Sequence, residues 1–214
     1  ATNKYTDGDV KNFNRFETGA ARTVYDVETK SRKHYILYLC TKEHVEQRFE
    51  KEELLLEKVK NETDIPTPRI LYSDFSKKEI PFMYYIGEKI EGYNPVDRFK
   101  YLPEEDRMRI LKQSARYLGR LHKNVQFDDF GDIIYDENSI RINSKTCKQY
   151  IKDWSESWIE DLEDTCFSDL QSKARKFIDK YDELAETADP CCVHFDVRPE
   201  NLIVEKGGIK SVID

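Results

Sequence analysis

The chain has 214 residues, 38% of them hydrophobic and 12% aromatic, enough to build one large domain or two small lobes around a real core. Charged residues make up 36% and the net charge is −7; the longest apolar run, Tyr35 to Cys40, is far below the roughly 18 residues that span a bilayer, and the acidic balance argues against nucleic-acid or anionic-membrane partners while mildly favouring cationic small molecules. The five cysteines (Cys40, Cys147, Cys166, Cys191, Cys192) form an odd set without a CxxC pair, and the polar, acidic start from Ala1 to Val10 is unlike a signal peptide, so a soluble cytoplasmic protein with reduced thiols is expected.

In chain order, short strand-like runs come first: Val10 to Phe16, Thr23 to Glu28, Tyr35 to Cys40, Ile70 to Asp74 and Pro81 to Ile86. One helix interrupts them, with Val45, Phe49, Leu56 and Val59 on a single face, and it must stop before Ile65-Pro66-Thr67-Pro68. The pattern turns helical after Gly92, which predicts a sheet-bearing lobe over residues 1–91 and a mainly helical part over 92–214. Within the second part, Met108, Leu111, Ala115, Leu118 and His122 mark the apolar face of a helix from Pro103 to His122. Trp154, Trp158, Leu162 and Cys166 mark a second helix, with the tryptophans on its inner face, and Leu170, Ala174, Phe177, Tyr181 and Leu184 a third. Strands return at Leu202 to Val204 and Ile209 to Ile213, around a glycine turn at Glu205-Lys206-Gly207-Gly208.

The segment His194-Phe195-Asp196-Val197-Arg198-Pro199-Glu200-Asn201, followed by that hairpin and Ile213-Asp214, carries the chemistry. Phosphoryl transfer needs a base for the acceptor hydroxyl, hard oxygen ligands for Mg²⁺ and positive charge near the moving phosphate. Asp196 is the expected base, Asn201 and Asp214 the expected metal ligands, and Arg198 the cation facing the γ-phosphate; the spacing is that of the general kinase pattern H-R-D-x-x-x-x-N with a later Asp. Farther upstream, small residues at Gly19 and Ala20 lie in a strand–turn–strand pattern and let backbone N–H groups approach phosphates. Glu52 sits on the apolar stripe of the first helix, where an unpaired carboxylate is costly, so a cationic partner is expected. The stretch Asp153 to Asp169 holds seven acids and no Lys or Arg, which reads as a solvated helix face or as a surface attracting a polyamine-like substrate.

On His194, Asp196, Asn201, the hairpin and Ile213-Asp214, the sequence resembles the aminoglycoside-phosphotransferase and choline-kinase family of small-molecule kinases. The resemblance runs from about Phe13 to Asp214 and implies a protein-kinase-like two-lobed α+β fold, ATP and Mg²⁺ as cofactors, and a small-molecule hydroxyl acceptor, such as an aminoglycoside-type antibiotic or another cationic metabolite. It implies that His194 supports the loop, that Leu118 to His122 ends the helix before it with His122 packed, and that adenine meets the backbone at Glu88 to Ile90. Related enzymes continue through several more helices, so the chain is expected to be truncated at its C-terminus. Two departures stand out: Phe195 replaces the family's usual glycine, and Tyr38 occupies the strand position of the lysine that pairs with the helix glutamate, leaving Lys33 and Lys42 as candidates to reach Glu52. A protein kinase and a non-catalytic nucleotide-binding module are the competing readings.

Overall fold

A computed structural model of the chain describes residues 6–16, 22–42 and 45–213. Its first element is a five-stranded antiparallel sheet in the order β1-β2-β3-β5-β4, built from β1 (Val10–Arg15), β2 (Thr23–Thr29), β3 (His34–Leu39), β4 (Ile70–Asp74) and β5 (Tyr84–Glu88). β5 lies between β3 and β4, and both of its faces are covered, so it reads in sequence as a continuous apolar run rather than an alternation. The expected strand from Pro81 starts later, at Tyr84, because Pro81 and Phe82 are exposed and Met83 is the first buried residue of the run. Tyr84 and Ile86 pack with Val27 and Tyr35 on one side; Met83 and Tyr85 pack on the other with Cys40, Val45 and Phe49.

Helix α1 (Glu46–Glu62) covers that second face with Phe49 and Val59 buried, as its periodicity predicts. It ends where Thr63 turns extended and returns its hydroxyl to the Val59 carbonyl at 2.7 Å, three residues ahead of Pro66.

Helix α2 (Glu104–Asn124) forms where expected but turns a different face inward. Met108 and Leu111 are 44% and 51% exposed, and Ala115 and His122 are exposed as well. The buried stripe runs instead through Ile110 and Leu121, flanked by half-buried Gln113 and Tyr117. Amphipathic side chains with long apolar stems can sit in a packed stripe, so counting only purely apolar residues picks the wrong one. Ile110 packs with Leu202, Val204 and Ile209, and Gln113 Oε1 accepts the Ile209 N–H at 2.9 Å, so α2 carries the terminal hairpin of β8 (Leu202–Glu205) and β9 (Gly208–Val212). The two residues between these strands, Lys206 and Gly207, both have positive φ, the signature of a tight hairpin turn. Pro66 O accepts both the Val212 N–H at 2.8 Å and the Ser211 hydroxyl at 3.3 Å, while Tyr93 and Val204 exchange two backbone bonds of 3.0 and 2.9 Å.

A second two-stranded sheet, β6 (Phe130–Asp136) with β7 (Ser139–Lys145), has no counterpart in the sequence reading. Its turn is Glu137-Asn138, both at positive φ, and without a glycine the turn carries little signal. Helix α3 (Cys147–Glu160) is capped by Thr146, whose hydroxyl accepts the Gln149 N–H at 3.1 Å. It stops before Leu162 and Cys166, and its tryptophans do not face inward: Trp154 is 38% and Trp158 62% exposed, whereas Ile159 is buried. Helix α4 (Gln171–Lys180) gives way at Tyr181 to a 3₁₀ stretch from Asp182 to Thr187, so the third expected helix is cut short. By contacts the chain forms two compact units: Ala1–Val125 with Tyr135–Ile140 and Val193–Asp214, and Gln126–Ile134 with Arg141–Cys192. No helix among the described residues is long and apolar enough to cross a membrane.

Candidate active site

The loop before β8 is shaped by its own residues. Pro199 opens a single 3₁₀ turn, Pro199–Asn201, where its missing N–H costs nothing, and Arg198 before it is extended, as a residue preceding proline prefers. That turn buries Asn201, whose N–H meets Arg198 O at 3.0 Å and whose carbonyl accepts the Ile213 N–H at 3.0 Å. The Asn201 Nδ2 then donates to Asp196 twice, to the carbonyl at 2.9 Å and to Oδ2 at 3.0 Å. With the amide nitrogen committed to Asp196, its oxygen turns away from that carboxylate. Arg198 Nε lies 2.9 Å from Asp196 Oδ1, and its two Nη groups meet no partner among the described residues. Asp196 remains half-exposed. The structure therefore brings Asp196, Arg198 and Asn201 together.

His194 accepts the Asp196 N–H with its carbonyl at 2.9 Å, and its Nδ1 lies 3.4 Å from the same nitrogen, so it braces the loop. Phe195 stands where a glycine was expected: its φ is +63°, in the left-handed region that costs a side chain about 1–2 kcal/mol, and its ring is 65% exposed. Phe195→Gly is expected to raise unfolding free energy by about 1 kcal/mol, read from the denaturant midpoint. An unchanged or lowered midpoint would show that the ring contributes more than the backbone loses.

Glu52 finds its cation from an unexpected direction. Arg22 Nη1 lies 2.7 and 3.0 Å from its two oxygens and 2.9 Å from the Tyr85 hydroxyl, which itself donates to Glu52 at 2.9 Å. Burial, then the Glu52 charge, pushes the Tyr85 phenol well above its ordinary range, so it stays a donor. Tyr38 stacks on Tyr85 at 4.4 Å and lies under the Arg22 guanidinium, 5.4 Å from its ring centroid. Lys33, one of the two expected partners, pairs with Asp7 instead. Arg22 was missed because it precedes β2 rather than lying on β3; its signal was the two-residue alternation that puts it on the face of Val24, opposite Tyr38.

At the end of β5, the Glu88 N–H is bound to Arg69 O at 2.9 Å, so only the rest of the Glu88 to Ile90 backbone can meet a base edge. Ile90 is half-buried, and the intervening Lys89 reaches Asp26 Oδ2 at 2.7 Å while His34 Nδ1 lies 2.9 Å from Oδ1. Burial raises the Asp26 carboxyl, but hydrogen bonds and charge from Lys89 and His34 outweigh it and hold the group below its usual range. A depressed carboxyl stabilises the fold above its unfolded value, about pH 4, and loses that contribution as pH falls through the lower folded value. Asp26→Asn is therefore expected to lower the melting temperature at pH 7 and to shrink the gap from wild type in strongly acidic buffer; a gap independent of pH would remove the charge from the account.

The acidic stretch is partly neutralised. Lys145 and Gln149 meet Asp153, each at 2.6 Å, and Arg175 forms a two-pronged pair with Glu156, so neither acid stands as open negative charge. Gly19, Ala20 and Asp214 lie outside the described residues. Among the described residues no group of three or more His, Cys, Asp or Glu side chains converges as a metal cluster.

The model of the phosphotransferase enzyme family matches residues 12–214. The chain belongs to that family. Solved structures agree on the fold. A protein of Ralstonia eutropha JMP134, provisionally named an aminoglycoside phosphotransferase, superposes with a TM-score of 0.70 at 18% identity, over 98% of this chain and 59% of its own. The aminoglycoside phosphotransferase APH(4)-Ia, in a ternary complex with AMP-PNP and hygromycin B, gives 0.66 at 17% identity, over 96% and 66%. A fructosamine-3-kinase-type structure from Thermobifida fusca gives 0.63 at 15%, over 99% and 70%. No curated protein sequence matches. The chain thus spans 59% and 66% of the first two of these structures, and its α+β architecture is that of the kinase-like phosphotransferases.

Proposed function

We propose that this phosphotransferase-family chain is the nucleotide-binding and catalytic part of a small-molecule kinase that moves the γ-phosphate of ATP to an acceptor hydroxyl. The observation that carries the proposal is the Asp196–Asn201 pair, in which a buried amide fixes a half-exposed carboxylate by two bonds of 2.9 and 3.0 Å. Asp196 takes the acceptor proton; holding it in place matters because a base must lie within hydrogen-bond reach of the proton it removes. Arg198, bound to Asp196 through Nε, presents its Nη edge to the transferring phosphoryl group. Gly19 and Ala20 close over the phosphates, and the backbone of Glu88 to Ile90 takes the adenine at the boundary between lobes 1–91 and 92–214.

Mg²⁺ needs hard oxygen donors and keeps waters and phosphate oxygens for the rest of its shell, which suits the outward amide oxygen of Asn201 together with Asp214. When bound, the metal supplies neutralisation of the phosphate charge. The acceptor is a small hydroxyl compound, and the excess acids of the chain favour a cationic one; hygromycin B and kanamycin occupy structures of relatives. Five cysteines that form no disulfide fit a cytoplasmic setting.

Calorimetry of the complete protein with AMP-PNP is expected to show binding that weakens sharply when a chelator replaces Mg²⁺; equal affinity in both would remove the metal ligands from the scheme. Turnover of a hydroxyl-compound panel beside a generic protein substrate separates the small-molecule reading from a protein kinase. Binding without turnover on either would leave a nucleotide-binding module. For a cationic acceptor the Michaelis constant is expected to rise with salt, and for a neutral one to stay flat.

A further inference from the structure

Consecutive carbonyls from Arg198 to Asn201 run through the loop before β8, and each is met by a donor. Backbone supplies most of them: the Asn201 N–H meets Arg198 O at 3.0 Å, the Leu202 N–H meets Pro199 O, and the Ile213 N–H meets Asn201 O at 3.0 Å. The Glu200 carbonyl is met by a side chain instead, Asn94, whose Nδ2 donates to it at 2.6 Å from far upstream in the chain. Glu200 O and the Asn201 N–H belong to one planar peptide group. Its N–H end is tied to Arg198 O, so the bond from Asn94 fixes the other end, and with it the plane from which the Asn201 side chain leaves toward Asp196.

We propose that Asn94 is a positioning residue for the Asp196–Asn201 pair, acting through the peptide group between Glu200 and Asn201. This rests on the kinase reading above. Asn94 is itself held on both sides. Its Oδ1 accepts the Val96 N–H at 3.0 Å, a local side-chain turn, and a single orientation of the amide serves both this bond and the one to Glu200. Before it, Tyr93 exchanges two backbone bonds with Val204 in β8; after it, Pro95 is fully buried and its carbonyl accepts the Arg98 and Phe99 N–H groups at 3.0 and 2.7 Å. The amide therefore reaches Glu200 from a fixed base. Asn94 and Glu200 are both exposed, and a hydrogen bond that water can replace adds little net stability, so stability alone is a weak reason for it. Position is a stronger one. A base must lie within hydrogen-bond reach of the proton it removes, and a rotation of this peptide group carries the Asn201 amide off the Asp196 carboxylate.

The test compares two variants of the complete protein that differ in what they keep. Asn94→Asp has the same shape and still accepts the Val96 N–H, but it presents an oxygen where Glu200 O needs a donor; Asn94→Ala loses both bonds. Hydrogen exchange over residues 194–201 reads the loop directly, and it is expected to quicken about tenfold or more in both variants while the β8–β9 hairpin keeps its wild-type protection. With Mg-ATP and, at saturation, the acceptor best turned over in the hydroxyl-compound panel, kcat is expected to fall about tenfold or more in both. The KM for ATP is expected to stay within about twofold, the split that marks a loss in the chemical step. Wild-type exchange or wild-type kcat in Asn94→Asp would overturn the assignment of Asn94 while leaving the kinase reading standing, and so would a KM for ATP that rises as far as kcat falls. Absence of wild-type turnover on every acceptor would overturn both.

Discussion

Asp196→Asn is expected to lower turnover by roughly 10²-fold or more while the affinity for Mg-nucleotide stays near that of wild type. The substitution preserves the shape of the side chain but removes the proton acceptor and leaves one acceptor oxygen where two meet Arg198 and Asn201. Asp214→Asn is expected to fail in another way, weakening magnesium-dependent nucleotide binding together with turnover, because a hard cation loses an anionic oxygen. Both profiles require the complete protein and saturating acceptor. Full turnover in Asp196→Asn would refute the catalytic loop itself, whatever the binding data showed.

Gly92→Ala is expected to destabilise the fold by about 2–5 kcal/mol, the combined scale of backbone strain and overpacking. Gly92 has φ +143°, and a Cβ there would lie 2.7 Å from both the Ile203 Cγ2 and the Val204 carbonyl oxygen. The second contact is backbone and cannot rotate away. Its neighbour Tyr93 makes the paired bonds to Val204, so the strain falls on the strand that follows Asn201. Denaturant melts measure the loss. Gly207→Ala provides the contrast: its φ is also positive, but the clash is with the side-chain ends of Asp106 and Arg109, which can move, so a loss nearer about 1 kcal/mol is expected. Equal losses at the two glycines would show that φ alone sets the cost.

The sheet and the loop before β8 were legible because their signals are local. Alternation and turn residues placed β1 to β4, the spacing of Phe49 and Val59 placed α1, and the five-residue spacing of Asp196 and Asn201 put both in the loop before β8, though the bond between them was not foreseen. What was not legible depended on partners distant in sequence. The inner face of α2 follows Leu202, Val204 and Ile209, roughly ninety residues further along the chain, which local periodicity does not reveal. Trp158 is large and apolar yet 62% exposed, since ring size identifies a residue that gains from burial without saying whether anything covers it. The ion pair of Glu52 was expected on residue type, but its source lay just before the neighbouring strand β2, and only the register between β2 and β3 makes Arg22 the nearer cation.

The bonds that Pro66 accepts from β9 have a consequence for solubility. A two-stranded ribbon leaves two rows of unpaired backbone groups, and an open row is a template on which a second chain can pair and aggregate. Here one row is met by Tyr93 and the other by a segment whose proline at 66 has no N–H to offer in return. The cover therefore caps the ribbon without becoming a third strand with a fresh edge of its own. Pro66→Ala would restore a donor at this border, and self-association on mild heating is where that change would first register.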